Sequence, residues 1–567
     1  MWRRPIISLG GLALFFLCAS AVAASGQSVR GGEATEGADP VFANPIVAGF
    51  APDPSIVRVG DDFYMVNSTF EYFPALPIRH SRDLVNWRLI GYAVTDPEPL
   101  ALDRVPSSGG MQAPTIRHHD GLFYVVATSI VGDRPMSFVT TAREPQGPWS
   151  SPHVIEEAEG IDPALFFDDD GTAWYTANRI PPDPEFEAQA EIWLQRLDLQ
   201  TFDLVGERYA LWRGCCQGIW VEGPRIYKHA GQYVLLVAEG GTGLDHAVSV
   251  AVSDTITGPY SNNPRNPILT HRHLSQDSPY VGVGHADLVE LADGRWYAVA
   301  LGWRQISGPH ALMGRETFLM PVQWERQPER WRTAPITTPV FSPRTGRVEH
   351  QYPLPLPVVG PSEPDTWTDL FTSTELDLRW RYRRAPAAPF ATLIPGGGLR
   401  LALGPNAMAD RTSYSFVGAP QQHPAYIAHT VLRFDPAEGE EAGLVVIQKE
   451  GAAFSLTLVG AGGGHLLQLS HWDGEHRRNV AQTPAPSEGP LHLRVRADRL
   501  ELRFESSFDG ESWRQIGEVQ DGTVLSPAIL SGFNYTGVHI GPYASANGRP
   551  SSNAALFERF TYLGEGR

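Results

Sequence analysis

One unit recurs five times along this chain, and that recurrence limits the fold more than any composition figure. The first copy reads Asp53-Pro54-Ser55-Ile56-Val57, then Gly60-Asp61-Asp62, then Phe63-Tyr64. The second reads Ala113-Pro114-Thr115-Ile116, Asp120-Gly121 and Phe123-Tyr124. The third reads Asp162-Pro163-Ala164-Leu165, Asp170-Gly171 and Trp174-Tyr175. The fourth is Glu222-Gly223-Pro224-Arg225-Ile226 with Gly231 and Tyr233, and the fifth is His285-Ala286-Asp287-Leu288 with Asp293-Gly294 and Trp296-Tyr297. Each Asp-Gly or similar pair is a hairpin turn signal between apolar strands. A further ring-bearing strand follows in several copies, as at Asn86-Trp87 and Gly147-Pro148-Trp149. Units about 50–60 residues apart, with about four strands each, have the dimensions of propeller blades. The expectation is an all-β chain with a five-bladed β-propeller over residues 42–343.

The chain has 567 residues, more than one propeller uses. Residues 344–364 are proline-rich, including Pro353-Leu354-Pro355-Leu356-Pro357, and read as an extended linker. Beyond them the pattern becomes plain alternation, as in Tyr426–Phe434 and Leu491–Arg496. Residues 365–567 are therefore expected to form a β-sandwich. Residues 1–24 read as a signal peptide: Arg3 and Arg4, an apolar stretch from Ile6 to Val22, and the small-residue pattern Ala21-Val22-Ala23. That places the mature protein outside the cytoplasm, periplasmic or extracellular, with no membrane attachment after cleavage.

The net charge of −18 disfavours nucleic acid as a partner, because phosphate binding needs a basic face. The chain's two lysines, Lys228 and Lys449, leave little scope for Schiff-base chemistry. Cys215 and Cys216 adjoin, and the sequence leaves open a strained bridge or two free thiols. In a propeller the residues that open the units converge at one mouth of the central channel. Asp53, Asp162, Glu222 and His285 would then meet there. Cleaving a glycosidic bond with inversion needs one protonated and one ionised carboxyl group, roughly 6.5–9.5 Å apart. A third carboxylate can hold the acid's pKa up, because like charges resist joint ionisation.

The motifs Ala51–Ile56, Ser68–Pro74, Gly160–Phe166, Glu222-Gly223-Pro224 and Gly314–Thr317 together resemble glycoside hydrolase family 43. The likeness runs through nearly the whole mature chain, and it implies the same five-bladed propeller. It implies that Asp53 is the general base, Glu222 the general acid, and Asp162 the residue that orients the acid and raises its pKa. It implies that Arg315 and Phe70 bind the innermost sugar, with Gln112 and His285 also at the substrate pocket. Gln112 stands where many relatives carry an aromatic residue, which leaves the sugar preference open. No cofactor is expected, and no metal ligand is assigned; in some relatives calcium or water lies near the residue matching His285. The tail resembles the sandwich of two-domain members, which implies that Phe533 or Tyr535 closes one side of the pocket.

The implied activity is exo-acting, inverting release of xylose from the non-reducing ends of β-1,4-xylooligosaccharides, as in xylan degradation. Removal of α-L-arabinofuranose, or both activities together, remains an alternative. A carbohydrate-binding propeller without catalysis is the reading from another class. Three carboxyl groups at one mouth argue against it.

Overall fold

The computed structural model describes residues 40–565, apart from residues 99, 133, 217, 328–334, 475 and 487–488. The expected signal peptide falls outside the described residues. Among those described there is no α-helix; the one helical turn is the 3₁₀ segment Gly522–Leu525. No described helix is long and apolar enough to cross a membrane. Residues Val41–Arg567 form one compact unit.

Five antiparallel sheets of consecutive strands follow one another, as the repeat requires. Their inner strands are Ser55–Val59, Gly110–His119, Ala164–Phe167, Glu222–His229 and Tyr280–Glu290. Four of the sheets have four strands, and the fourth blade adds Leu269–Thr270 as a fifth. The turn signals fold as read. Asp120-Gly121 and Ala230-Gly231 carry positive φ at both central positions, the twist a tight hairpin demands. Asp168-Asp169-Asp170 is also a hairpin turn, and the Lys228 ammonium clamps Asp168 at 3.0 Å and Asp169 at 2.7 Å.

In every blade one residue at the head of the repeat unit, just before the inner strand or within it, is in the left-handed conformation: Asp53 (φ 50°), Ala113 (45°), Asp162 (59°), Gly223 (59°) and His285 (47°). The apolar residues three positions later, Ile56, Ile116, Leu165, Ile226 and Leu288, are each at most 5% exposed. This register corrects one detail of the sequence alignment. Gly223, not Glu222, stands level with Asp53 and Asp162. Pairing slips between Glu222 and Arg225, so an extra residue is accommodated there and Glu222 sits one step nearer the mouth.

Two residues beyond the opening position lie Ser55, Thr115, Ala164, Arg225 and Asp287. This second layer plugs the channel. The buried Asp287 carboxylate accepts from Ser55 Oγ (2.6 Å), Arg117 Nη1 (3.0 Å) and Tyr227 Oη (2.5 Å), joining blades one, two, four and five. Among the described residues no strand is exchanged to close the ring. Instead the segment after the first described strand, Val41–Ala43, runs along the last blade. There Ala51 N–H donates to Arg315 C=O, and Asn44 bonds both backbone groups of Leu319. The proline-rich connector contributes Gln351–Pro353, which pairs with Val41–Ala43.

The second half is two stacked antiparallel sheets, of nine and eight strands. The alternating segments read from sequence appear as Ala425–Arg433 and Leu491–Asp498, paired with each other. Their inward residues, including Leu432, Leu493 and Val495, share one apolar core with Phe504 of the next strand, Glu501–Ser507, and with Leu444 and Phe454 of the facing sheet. The eight-stranded sheet takes its edge strand from the propeller: Tyr72–Phe73 pairs with Arg381–Arg383. Beside that seam Arg383 meets Glu71 Oε1 at 3.0 Å, both side chains fully buried.

Candidate active site

The mouth of the channel gathers the three acids named from sequence. Asp53 is 3% exposed. Its Oδ2 accepts from Ser68 Oγ at 2.5 Å, and its Oδ1 accepts from Arg315 Nη1 at 3.1 Å. Burial alone would lift this carboxyl. Arg315 first, then His285, Ser68 and His246, outweigh burial and hold it below the ordinary aspartate value. The two imidazoles are themselves pushed down by burial, His285 to about 3 and His246 to about 4. Both are thus neutral near pH 7, and the Arg315 charge and the Ser68 hydroxyl carry the effect.

Asp162 and Glu222 experience the opposite pressure. Asp162 Oδ2 accepts the Gly223 N–H at 3.1 Å, which ties it to the peptide that follows Glu222. Burial and the neighbouring Asp53 raise Asp162 to about 7, against the pull of Arg225. Glu222 is partly exposed at the mouth. Burial, then Asp162 and Asp53, push its carboxyl well above the ordinary glutamate value, with Arg315 opposing. Three carboxyl groups thus share one small volume in unlike protonation states, which is the condition for paired acid and base work.

Arg315 is a buried residue held on all sides. Its Nη1 also donates to Thr242 Oγ1 at 2.8 Å, and Nε reaches Tyr535 C=O at 3.4 Å. The guanidinium carbon lies 5.2 Å from the Phe70 ring centre and 5.1 Å from that of Tyr535. Its Nη2 is buried without a partner, a donor ready for a hydroxyl group. Glu316 is not its ion-pair partner: that carboxylate is taken by Arg304 at 2.8 Å. Phe70 is 3% exposed and packs with Phe50, Tyr72 and Tyr535, so it supports Arg315 from beneath. Gln112 is half-buried, one residue before Ala113, and its Nε2 donates to Ser108 C=O at 3.1 Å.

His285 lies 3.9 Å from Asp53 through Nδ1, and its Nε2 is buried without a partner. For the calcium that lies near the matching residue in some relatives, the donor set here is ill-suited. Asp53 is already engaged, Arg225 and Arg315 are close enough to depress the imidazole, and a hard cation seeks six or more oxygens. Among the described residues no group of three or more His, Cys, Asp or Glu could hold a metal ion. Cys215 and Cys216 are free thiols. Cys215 Sγ donates to Glu239 Oε1 at 3.0 Å, so the pair is not a bridged ring.

Sequence reasoning missed Ser68, Thr242, His246 and Arg225. Ser68 lies inside a quoted motif, and Thr242 in the turn-rich Gly240-Gly241-Thr242-Gly243. Both carried a local signal. Arg225 lies in the quoted fourth repeat, whereas His246 carried no local signal, since its position by the acids comes from blade packing alone.

A propeller mouth that gathers a buried, arginine-bound carboxylate and two carboxyl groups held above their ordinary values has the paired acids of a glycoside hydrolase. The chain belongs to glycosyl hydrolases family 43: that family's model matches residues 42–327, and the "beta xylosidase C-terminal concanavalin A-like domain" matches residues 368–563. It is 38% identical to a xylosidase/arabinosidase of Butyrivibrio fibrisolvens, over 91% of this chain and 98% of that one. It is 36% identical to a non-reducing end α-L-arabinofuranosidase of Bacteroides ovatus, over 93% and 95% of the two chains. The solved xylan β-1,4-xylosidase of Bacillus halodurans superposes with a TM-score of 0.83 at 31% identity, covering 92% of this chain and 99% of that one.

Proposed function

We propose that this enzyme is an inverting exo-β-xylosidase acting on short β-1,4-linked xylose chains. One observation carries the reading: the environment pushes Asp53 and Glu222 in opposite directions, so one is ionised and the other protonated at the same pH. Ionised Asp53 takes a proton from water as that water bonds to the anomeric carbon. Glu222 gives its proton to the departing oxygen as the glycosidic bond breaks. Asp162, fastened to the Gly223 N–H, orients Glu222 and resists its ionisation. Arg315 Nη2 holds a sugar hydroxyl. Tyr535 closes one side of Arg315, which suits a pocket for one terminal sugar. The names of the Butyrivibrio and Bacillus relatives support xylose as the sugar. The N-terminal segment supports export.

The test is proton NMR of fresh reaction mixtures with xylobiose, read before mutarotation. α-Xylose should appear first. Early β-xylose would mean retention and would overturn the roles of Asp53 and Glu222. The similarity to the Bacteroides arabinofuranosidase supports a second reading. Faster turnover of 4-nitrophenyl α-L-arabinofuranoside than of the β-xyloside would favour it.

A further inference from the structure

Trp220 stands two residues before the acid and is absent from the machinery described above. It is 51% exposed, and its backbone lies in the left-handed region at φ 48°. A bulky residue there costs on the order of 1–2 kcal/mol, and such outliers gather where function requires them.

The strain is held rigidly. Trp220 N–H donates to Ala188 C=O at 2.9 Å, and Gly240 N–H donates to Ile219 C=O at 2.9 Å. Val221, the next residue, is fully buried, and its carbonyl accepts from Asn178 Nδ2. The Cε3–Cζ3 edge of the indole lies against Gly241, where an added Cβ would fall 2.7 Å from Cε3. Gly241 itself sits at φ 71°, so glycine serves both the turn and the close approach. The next residue, Thr242, accepts from the same Arg315 nitrogen that grips Asp53. The ring is therefore fixed to the rim between the acid and the arginine, with about half its surface open.

The position along the reaction coordinate follows from Glu222. The acid protonates the departing oxygen, so groups beside it face the leaving group rather than the sugar being released. A flat, open, apolar ring at that place suits the C–H face of a pyranose. We propose that Trp220 is a specificity residue that stacks against the second sugar of the substrate, the one on the leaving-group side. This rests on the glycosidase reading above and extends it to what the departing portion must be.

The experiment compares two donors. β-1,4-Xylobiose has a leaving sugar, whereas β-D-xylopyranosyl fluoride has none. For Trp220→Ala and Trp220→Leu, kcat/KM on xylobiose should fall ~10-fold or more, while kcat/KM on the fluoride stays within about 2-fold. Leucine keeps bulk over Gly241, so it separates stacking from a collapsed rim. Trp220→Phe should recover most of the xylobiose activity. An equal fall on both donors would make Trp220 a scaffold of the acid and overturn the proposal. No fall on xylobiose would overturn it too. Wild-type protein that cleaves neither donor would sink the glycosidase reading, and this inference with it.

Discussion

At the residue scale the site works by unequal environments around like groups. Asp53 has a guanidinium and a hydroxyl; Glu222 has two carboxyl neighbours and burial. The pH consequence has a definite sign. Activity should rise as Asp53 ionises, on an acid limb below the ordinary aspartate pKa of 3.8. It should fall as Glu222 loses its proton, on a basic limb above the ordinary glutamate pKa of 4.5. Glu222→Gln removes the basic limb, because glutamine does not titrate. It should lower kcat on xylobiose ~10²–10⁴-fold, the usual share of a general acid. The loss should shrink on xylosyl fluoride, whose leaving group needs less proton assistance. A pH–rate profile of each variant on both donors checks this. An unchanged basic limb in Glu222→Gln would assign the acid elsewhere.

At the scale of the element the fourth inner strand carries a one-residue pairing slip between Glu222 and Arg225, and the second and fifth inner strands share it between Gln112 and Thr115 and between Gly284 and Asp287. Gly223 takes the left-handed position that Asp53 and Asp162 hold elsewhere, and Glu222 is displaced toward the mouth. Glycine relieves two costs here, of which the crowding against His285 is particular to this blade. Its φ is 59°, and an added Cβ would lie 3.1 Å from the His285 ring. Gly223→Ala should cost about 1–2 kcal/mol from backbone strain, more if His285 is displaced. Because Gly223 N–H also holds Asp162, kcat should drop with the stability. Thermal melting and xylobiose kinetics on the same variant would show both; a variant with wild-type melting and kcat would mean the strand tolerates an ordinary residue there. The repeated Pro after the opening residue made the strands readable from sequence. The same signal carried the one-residue slip, since Pro224 follows Gly223 and not Glu222; aligning on the acid instead of the proline hid it.

At the scale of the molecule the sandwich is part of the active site. A chain of polar contacts runs from it to Asp53, the base in the proposed mechanism. Arg383 binds Glu71, Glu71 accepts from Ser108 N–H at 3.0 Å, and Ser108 Oγ accepts from Tyr535 N–H at 2.9 Å. Tyr535 C=O then meets Arg315, which grips Asp53. Arg383→Met strands the Glu71 carboxyl in the seam between the two halves. Removing one partner of a buried pair costs about 3–5 kcal/mol. Glu71 is already raised by burial, with Arg383 the leading counterweight, so the variant's Glu71 would be protonated when folded and ionised when unfolded. The Glu71 part of the penalty is therefore small below pH 4.5 and grows as pH rises, on top of a constant part from Glu450, which Arg383 also binds at 3.1 Å and holds well below the ordinary glutamate value. Melting temperatures measured from pH 4 to 8 should diverge from wild type upward through that range. Parallel curves would mean Glu71 is not the group left exposed to the loss.

The sequence alone determined the blade count, the hairpins, the two-part architecture and three of the acids, because these rest on local periodicity, turn chemistry and short motifs. Tertiary structure decided what the acids are to one another. The proton preferences of Asp53, Asp162 and Glu222 come from burial and from Arg315 and Arg225, whose charges reach them across the channel. It also decided that Tyr72–Phe73 leaves its blade to finish a sheet of the sandwich. Neither could be read along the chain, because each depends on groups far apart in sequence brought within a few ångströms by closure of the ring and docking of the second domain.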